Sequence, residues 1–185
     1  MILIPISVSL LVALLAVVLL TPRVVEYVEV TDISGSADKV YDAIRFQRDL
    51  MKWSAWPPET GSDCRVEGED GTVGAQTVFL NKKGGRFGFQ EVAALDAGRS
   101  VAFRLESKGP PHQPTLAFHL VPVTPDTTRV VLVFRNDITP PFHVALRLFG
   151  IVRWTRDMHR KDLDGLTRFV ERGEDYRGTP LPAAA

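Results

Sequence analysis

The sequence predicts an α+β domain, a curved antiparallel β-sheet wrapped around a long C-terminal helix, preceded by an N-terminal transmembrane helix. Three observations carry this expectation. Residues 2–20 (ILIPISVSLLVALLAVVLL) contain no charge; residues 75–136 repeat short runs of alternating apolar and polar side chains; and a helical apolar stripe follows Pro140-Pro141 and closes at Gly173.

The apolar segment sets the location. As a helix it would extend about 28 Å, close to the roughly 30 Å hydrocarbon thickness of a bilayer. A buried core helix would show a polar face over such a length. A cleavable signal peptide would carry a basic n-region and a small-x-small exit, whereas Met1 leads straight into apolar residues and Ala16-Val17-Val18 runs into Leu19-Leu20. A retained single-pass anchor over residues 1–22 is the favoured reading. Arg23 follows the segment, which puts the remaining domain on the cytoplasmic face, with the periplasmic side as the alternative.

Composition bounds the rest. The 22 basic and 22 acidic residues cancel, which argues against nucleic acid as a partner. The single cysteine, Cys64, excludes an intramolecular disulfide. Residues 23–172 read as one domain, and Gly173 to Ala185 reads as a disordered tail.

The elements follow in order. Val24 to Ile33 is rich in β-branched residues and reads as a strand leading out of the membrane. Ser36 stands where an N-cap belongs, with Asp38 in the first turn, so Ala37 to Phe46 is a helix. Asp49 to Trp56 adds another turn or two, stopped by Pro57-Pro58. Strands are expected over Ala75–Leu80, Arg86–Leu95, Val101–Glu106, the run containing Leu116, Phe118 and Leu120, and Arg129–Asn136, forming an antiparallel meander. From Phe142 onward, Leu148, Ile151, Thr155, Met158, Leu166 and Val170 mark one face of a long helix with Gly173 near its C-cap.

Several strings within this order carry a resemblance. Ser36-Ala37-Asp38-Lys39-Val40-Tyr41, Trp53-Ser54-Ala55-Trp56-Pro57, Gly71-Thr72-Val73-Gly74-Ala75 and Lys161-Asp162-Leu163-Asp164-Gly165-Leu166 resemble the START/polyketide-cyclase superfamily, also called SRPBCC. The resemblance spans roughly Val24 to Arg172 and implies the helix-grip fold, with a hydrophobic cavity between sheet and helix. That superfamily includes lipid and sterol carriers and polyketide cyclases, and some of its bacterial members carry an N-terminal membrane segment. None of the strings is catalytic, so the resemblance speaks to fold more than to activity.

Such a cavity would be walled by Phe87, Phe89, Phe103, Phe118 and Phe134 from the sheet and Met158 from the helix, with Trp53 and Trp56 at its mouth. A filled core is the competing account of each phenylalanine, and a hydrophobic plug is the competing account of the tryptophans. Catalytic constellations are sparse. His112, His119, His143 and His159 have no metal-ligand spacing, Cys64 has no neighbouring base, and no phosphate loop or dinucleotide fingerprint occurs, so no cofactor, metal or catalytic residue is assigned. His119 and Glu91 are the two titratable residues weighed as cavity-facing against solvent-facing. Arg153, Arg156 and Arg160 mark one helix face, beside Asp157, Asp162 and Asp164, and read as a solvated, salt-bridged surface.

The function expected is a membrane-tethered binding or carrier domain for a hydrophobic small molecule, lipid-like or polycyclic, without covalent chemistry. The alternatives are an accessory subunit whose anchor contacts other membrane proteins, and an enzyme of the cyclase or aromatase type. A buried histidine or carboxylate facing the cavity would favour the enzyme.

Overall fold

The computed structural model describes residues 3–109 and 112–182, with residues 3–11 and 113 described by backbone alone. The chain opens with α1 (Leu3–Leu20) and passes directly into β1 (Val24–Ser34). Three helices follow, α2 (Ala37–Arg45), α3 (Gln47–Trp53) and α4 (Trp56–Thr60). Then come β2 (Asp63–Glu67), β3 (Gln76–Leu80), β4 (Arg86–Asp96), β5 (Ser100–Ser107), β6 (His112–Thr124) and β7 (Thr127–Ile138), followed by α5 (Phe142–Leu148) and α6 (Ile151–Arg172). The seven strands form one antiparallel sheet in the order β1-β7-β6-β5-β4-β3-β2, so the first strand closes one edge beside the last.

Local chemistry accounts for the element ends. Ser36 caps α2, its hydroxyl accepting from the Lys39 amide. Alternation on the sheet puts Val130, Leu132 and Phe134 of β7 inward against Leu116, Phe118 and Leu120 of β6, with Val101 and Phe103 of β5 beyond them, all buried. Across that face lies α6, burying Met158, Leu163, Leu166 and Val170. An α+β helix-grip arrangement results.

Close approach holds α6 in place. A Cβ on Gly165 would stand 2.1 Å from the Trp53 carbonyl oxygen, so only glycine lets α6 pass the end of α3 at this distance. One turn earlier, the buried Asp162 carboxylate accepts from Ser54 Oγ, the Ala55 amide and Trp56 Nε1 at 2.7–3.0 Å. Two of the strings that carried the resemblance therefore touch each other.

Several expectations need correction. The single long helix from Phe142 is two helices, because Gly150 adopts a left-handed conformation between α5 and α6. Leu148 and Ile151, expected on the core-facing stripe, are exposed, at the last residue of α5 and the first of α6 on either side of the Gly150 break. Pro57-Pro58 does not stop a helix; the prolines occupy the first turn of α4, where no backbone N–H is needed. Trp53 and Trp56 thus end one helix and begin the next, and do not share a face. Strand β2 was not anticipated because DCRVE has only one β-branched residue. The expected tail folds back instead. Tyr176 donates its amide to the Lys52 carbonyl and its hydroxyl to Glu59, and Glu174 bridges to Pro180; residues 183–185 lie outside the described residues.

The transmembrane expectation stands differently. Its first residue, Ile2, lies outside the described residues, and side chains of α1 are described only from Val12. Among the described residues, no helix is long and apolar enough to cross a membrane. What is visible is that Val12, Leu14, Leu15, Val17, Leu19 and Leu20 are all exposed. The end of α1 is tied to the domain, with His143 Nε2 donating to the Val18 carbonyl at 3.0 Å and Arg147 donating to the carbonyls of Pro22 and Val24.

The grip of α6 is testable by denaturation. Gly165→Ala should destabilise by about 1–3 kcal/mol through overpacking, although alanine is the better helix former. Leu166→Ala should cost about 2–5 kcal/mol, and Arg153→Ala, on the exposed face, no more than about 0.5 kcal/mol. Equal effects at Leu166 and Arg153 would show the helix faces to be misassigned.

Candidate functional site

The inner face of the sheet is filled over most of its length and opens at one end. The row Tyr27–Phe134–Leu116–Phe103–Val92 crosses β1, β7, β6, β5 and β4 as continuous buried core. One row nearer the α5–α6 corner, the inward positions are Val25, Asn136 and Pro114, then Leu105 and Gln90. These side chains are smaller or polar, and the β5–β6 ladder stops just short of them at Arg104–Thr115. A cavity of about 420 Å³ remains, closed on its helical side by Leu146, Ile151, Val152, Trp154 and Thr155. That volume suits a small organic molecule.

One polar cluster borders it. His159, on the inner face of α6, lines the cavity and meets the Tyr27 hydroxyl through Nδ1 at 2.8 Å. Its ring packs 4.9 Å from Phe134 and 5.8 Å from Trp56. Burial depresses the imidazole to about 4, so His159 is neutral at pH 7. Burial likewise raises the Tyr27 phenol well above its ordinary range. Behind Trp56, burial pushes the Asp162 carboxyl up to about 7 in spite of its three donors. Beyond the cavity edge, Glu29 accepts from Arg156 and Arg160, and Arg156 lies over the Tyr27 ring.

The expected cavity residues divide. Trp56, Phe87, Phe89 and Phe134 line the cavity. Phe87 sits at the register shift between β3 and β4, 6.2 Å from Phe79. Phe89 is out of phase with the inward Gln90 and Val92, and its ring lies under Arg86 and Arg104. Trp53, Phe103, Phe118 and Met158 are buried core away from the cavity. Trp53 donates Nε1 to the Ala43 carbonyl and meets Phe118 edge-on, which makes it a plug. His119 is exposed, and Glu91 pairs with Arg104 and Gln76 away from the cavity. Asp162, expected on a solvated face, is buried.

Three buried polar positions escape the sequence reading: Asn136 and Gln90, on the cavity wall, are not singled out there, and Asp162, behind that wall, is expected on a solvated face. Asp162 falls at i+4 from Met158 and i−4 from Leu166, inside the apolar stripe, and Asn136 continues the inward phase of Leu132 and Phe134. A polar residue in an apolar phase was the signal available at both positions. Nothing comparable marked Gln90, because the bulge after Val92 and the preceding Phe87 and Phe89 obscure the phase of β4. Among the described residues, no cluster of His, Cys, Asp and Glu stands ready to hold a metal.

Opposite pKa shifts at His159 and Asp162 give a prediction. His159 titrates lower in the folded state, so its contribution to stability is present above about 6.5 and lost as pH falls toward about 4. Asp162 titrates higher when folded, so its contribution is present below about 3.8 and lost as pH rises through about 7. The two slopes oppose each other across the same window. Thermal melts should therefore show little net change from pH 4.5 to 7 due to this pair, rising stability with pH in Asp162→Asn, and falling stability in His159→Gln. Parallel slopes in the two variants would contradict the assignment.

Comparison with solved structures gives the same fold at low identity. Protein CV1439 from Chromobacterium violaceum is 20% identical with a TM-score of 0.54, the match covering 81% of this chain and 98% of that one. Norcoclaurine synthase from Thalictrum flavum is 12% identical with a TM-score of 0.60, over 84% and 91% of the two chains. CalU16 from Micromonospora echinospora is 12% identical with a TM-score of 0.55, over 80% and 76%. Likeness at this identity carries the fold alone. No curated protein sequence matches the chain. The family profile described as polyketide cyclase / dehydrase and lipid transport matches residues 24–171, the whole of the sheet and all but the last residue of α6, and the chain belongs to that family.

Proposed function

We propose that this domain binds a hydrophobic small molecule in the cavity at the α5–α6 corner, and that it does so beside a membrane, tethered by residues 2–20. The observation that carries the binding reading is the apolar space of about 420 Å³ lined by the sheet and α6. Removing an apolar ligand from water into such walls yields roughly 25 cal/mol per Å² buried.

Position supports the membrane part. The corner that closes the cavity exposes Phe142, Leu148, Phe149, Ile151 and Trp154, with Leu148 and Phe149 79% and 77% exposed. It is bonded through His143 and Arg147 to the end of α1. An apolar helix and an apolar rim on the same side suit a domain resting against lipid, with Trp154 at the interface. Arg23 beside α1 favours the cytoplasmic face.

Native mass spectrometry of the full-length protein in detergent should reveal a co-purifying hydrophobic molecule. Val152→Trp, which fills the cavity from α6, should weaken uptake of the neutral dye Nile red at least about tenfold while Val121→Ala, on the exposed face of β6, leaves it unchanged. Membrane fractions should hold the full-length protein against alkaline carbonate; a mature chain beginning near Thr21 would overturn the tether.

A second reading, proton transfer on the bound molecule, is favoured by His159 on the cavity wall with Tyr27 at Nδ1. Held neutral at pH 7, the imidazole offers a lone pair or an N–H but is a weak base. If the co-purified molecule is converted by wild type and left unchanged by His159→Gln, the domain is an enzyme; persistence of the molecule in both supports binding alone.

A further inference from the structure

Two buried amides border the cavity, each with a polar atom left unpaired among the described residues. Gln90 on β4 and Asn136 on β7 are 6% and 8% exposed, and both line the cavity. Among the described residues, Gln90 Nε2 and Asn136 Oδ1 have no hydrogen-bond partner, and Asn136 Nδ2 makes only a 3.5 Å contact with His112 Nδ1. Buried amides are ordinarily paired, because each loses its bonds to water on burial. An amide also offers both a donor and an acceptor, so either orientation of the side chain leaves one to satisfy.

Their placement is informative. Gln90 pairs across the sheet with Leu105, and Asn136 with Pro114, so both amides belong to the one inward row that lines the cavity. Three strand spacings separate them, roughly 14 Å along the sheet. Apolar Leu105 and Pro114 stand between, in the gap where the β5–β6 ladder has ended. A single functional group does not reach both amides. An elongated molecule with an apolar middle does.

Charge narrows the class further. Among the described residues, the charged side chains on the cavity wall are Glu106 and Lys108, opposite in sign and both exposed. The two wall histidines, His112 and His159, are shifted toward their neutral forms by burial. A ligand ion carried inside would find no counter-ion there, and an unpaired buried charge is strongly disfavoured.

Resting on the reading of this cavity as the ligand site, we propose that Gln90 and Asn136 are its two polar anchors, and that the ligand is an uncharged, elongated apolar molecule bearing a hydroxyl or carbonyl group toward each end. The amides determine which hydrophobic molecule is accepted, and the apolar walls provide the bulk of the affinity. Hydroxyl and carbonyl ligands are both served, since each amide can donate or accept.

Competition against Nile red tests this with the full-length protein in amphipol. Decane-1,10-diol, decan-1-ol and decanoate share one chain length and differ in polar ends. Wild type should bind the diol about five- to tenfold more tightly than the alcohol, and decanoate weakest, as expected when one further buried hydrogen bond is made and an ion is refused. Gln90→Met and Asn136→Leu should each bring the diol to the level of the alcohol, with Nile red binding retained as the check on folding. Decanoate binding as tightly as the diol to wild type overturns the proposal without recourse to any variant, as do equal affinities for diol and alcohol. Nile red and all three competitors failing to bind wild type would instead refute the cavity as a ligand site.

Discussion

The touchdown of α6 on the α3–α4 junction governs the rest of the molecule. Asp162 gathers Ser54, Ala55 and Trp56 around one buried carboxylate, and Gly165 admits the Trp53 carbonyl against the helix backbone. With its middle held there, α6 lies close over β1 and buries Met158, Leu163, Leu166 and Val170. Its N-terminal turns begin after the left-handed Gly150 and line the cavity with Ile151, Val152, Thr155 and His159. A buried carboxylate is a costly device for stability alone, but it aligns three groups in one geometry and so fixes the angle of the helix.

The same contact shapes the electrostatics. Trp56 is held by Asp162 on one side and presents its ring to His159 and Trp154 on the other. His159 stays neutral because it is enclosed by that ring, by Phe134 and by Tyr27. Around the cavity the ion pairs lie outside its wall, where Glu29 pairs with Arg156 and Arg160 and Glu59 with Lys161. The cavity wall that results is apolar with a few neutral hydrogen-bonding groups.

The end of α1 and the cavity meet at the α5–α6 corner. Leu146, Ile151 and Trp154 close the cavity from the helical side, and the same short stretch exposes Leu148 and Phe149. His143 and Arg147 on α5 bind the carbonyls at the end of α1 and just after it. Carbonyls at a helix C-terminus need donors from outside the helix, and here α5 supplies them. The apolar segment and the cavity are therefore joined through one seven-residue helix.

Much of the architecture was determined by local chemistry that the sequence displays. The phases of β5, β6 and β7 follow from alternation, the start of α2 from Ser36, and the apolar face of α6 from Met158, Leu166 and Val170, because each depends on neighbours within a few residues. Two of the four strings that carried the family resemblance proved to be a joint: Trp53–Pro57 and Lys161–Leu166 mark where two elements touch. Tertiary structure alone decided which aromatic residues fill the core and which border the cavity. Phe103 and Phe134 share a strand phase and a register row, yet only Phe134 borders the cavity, beside His159 of α6, while Phe103 packs edge-on against Phe118. The functional polarity was equally long-range. His159, Gln90 and Asn136 come from α6, β4 and β7, and no spacing along the chain announces that three neutral groups will border one apolar space.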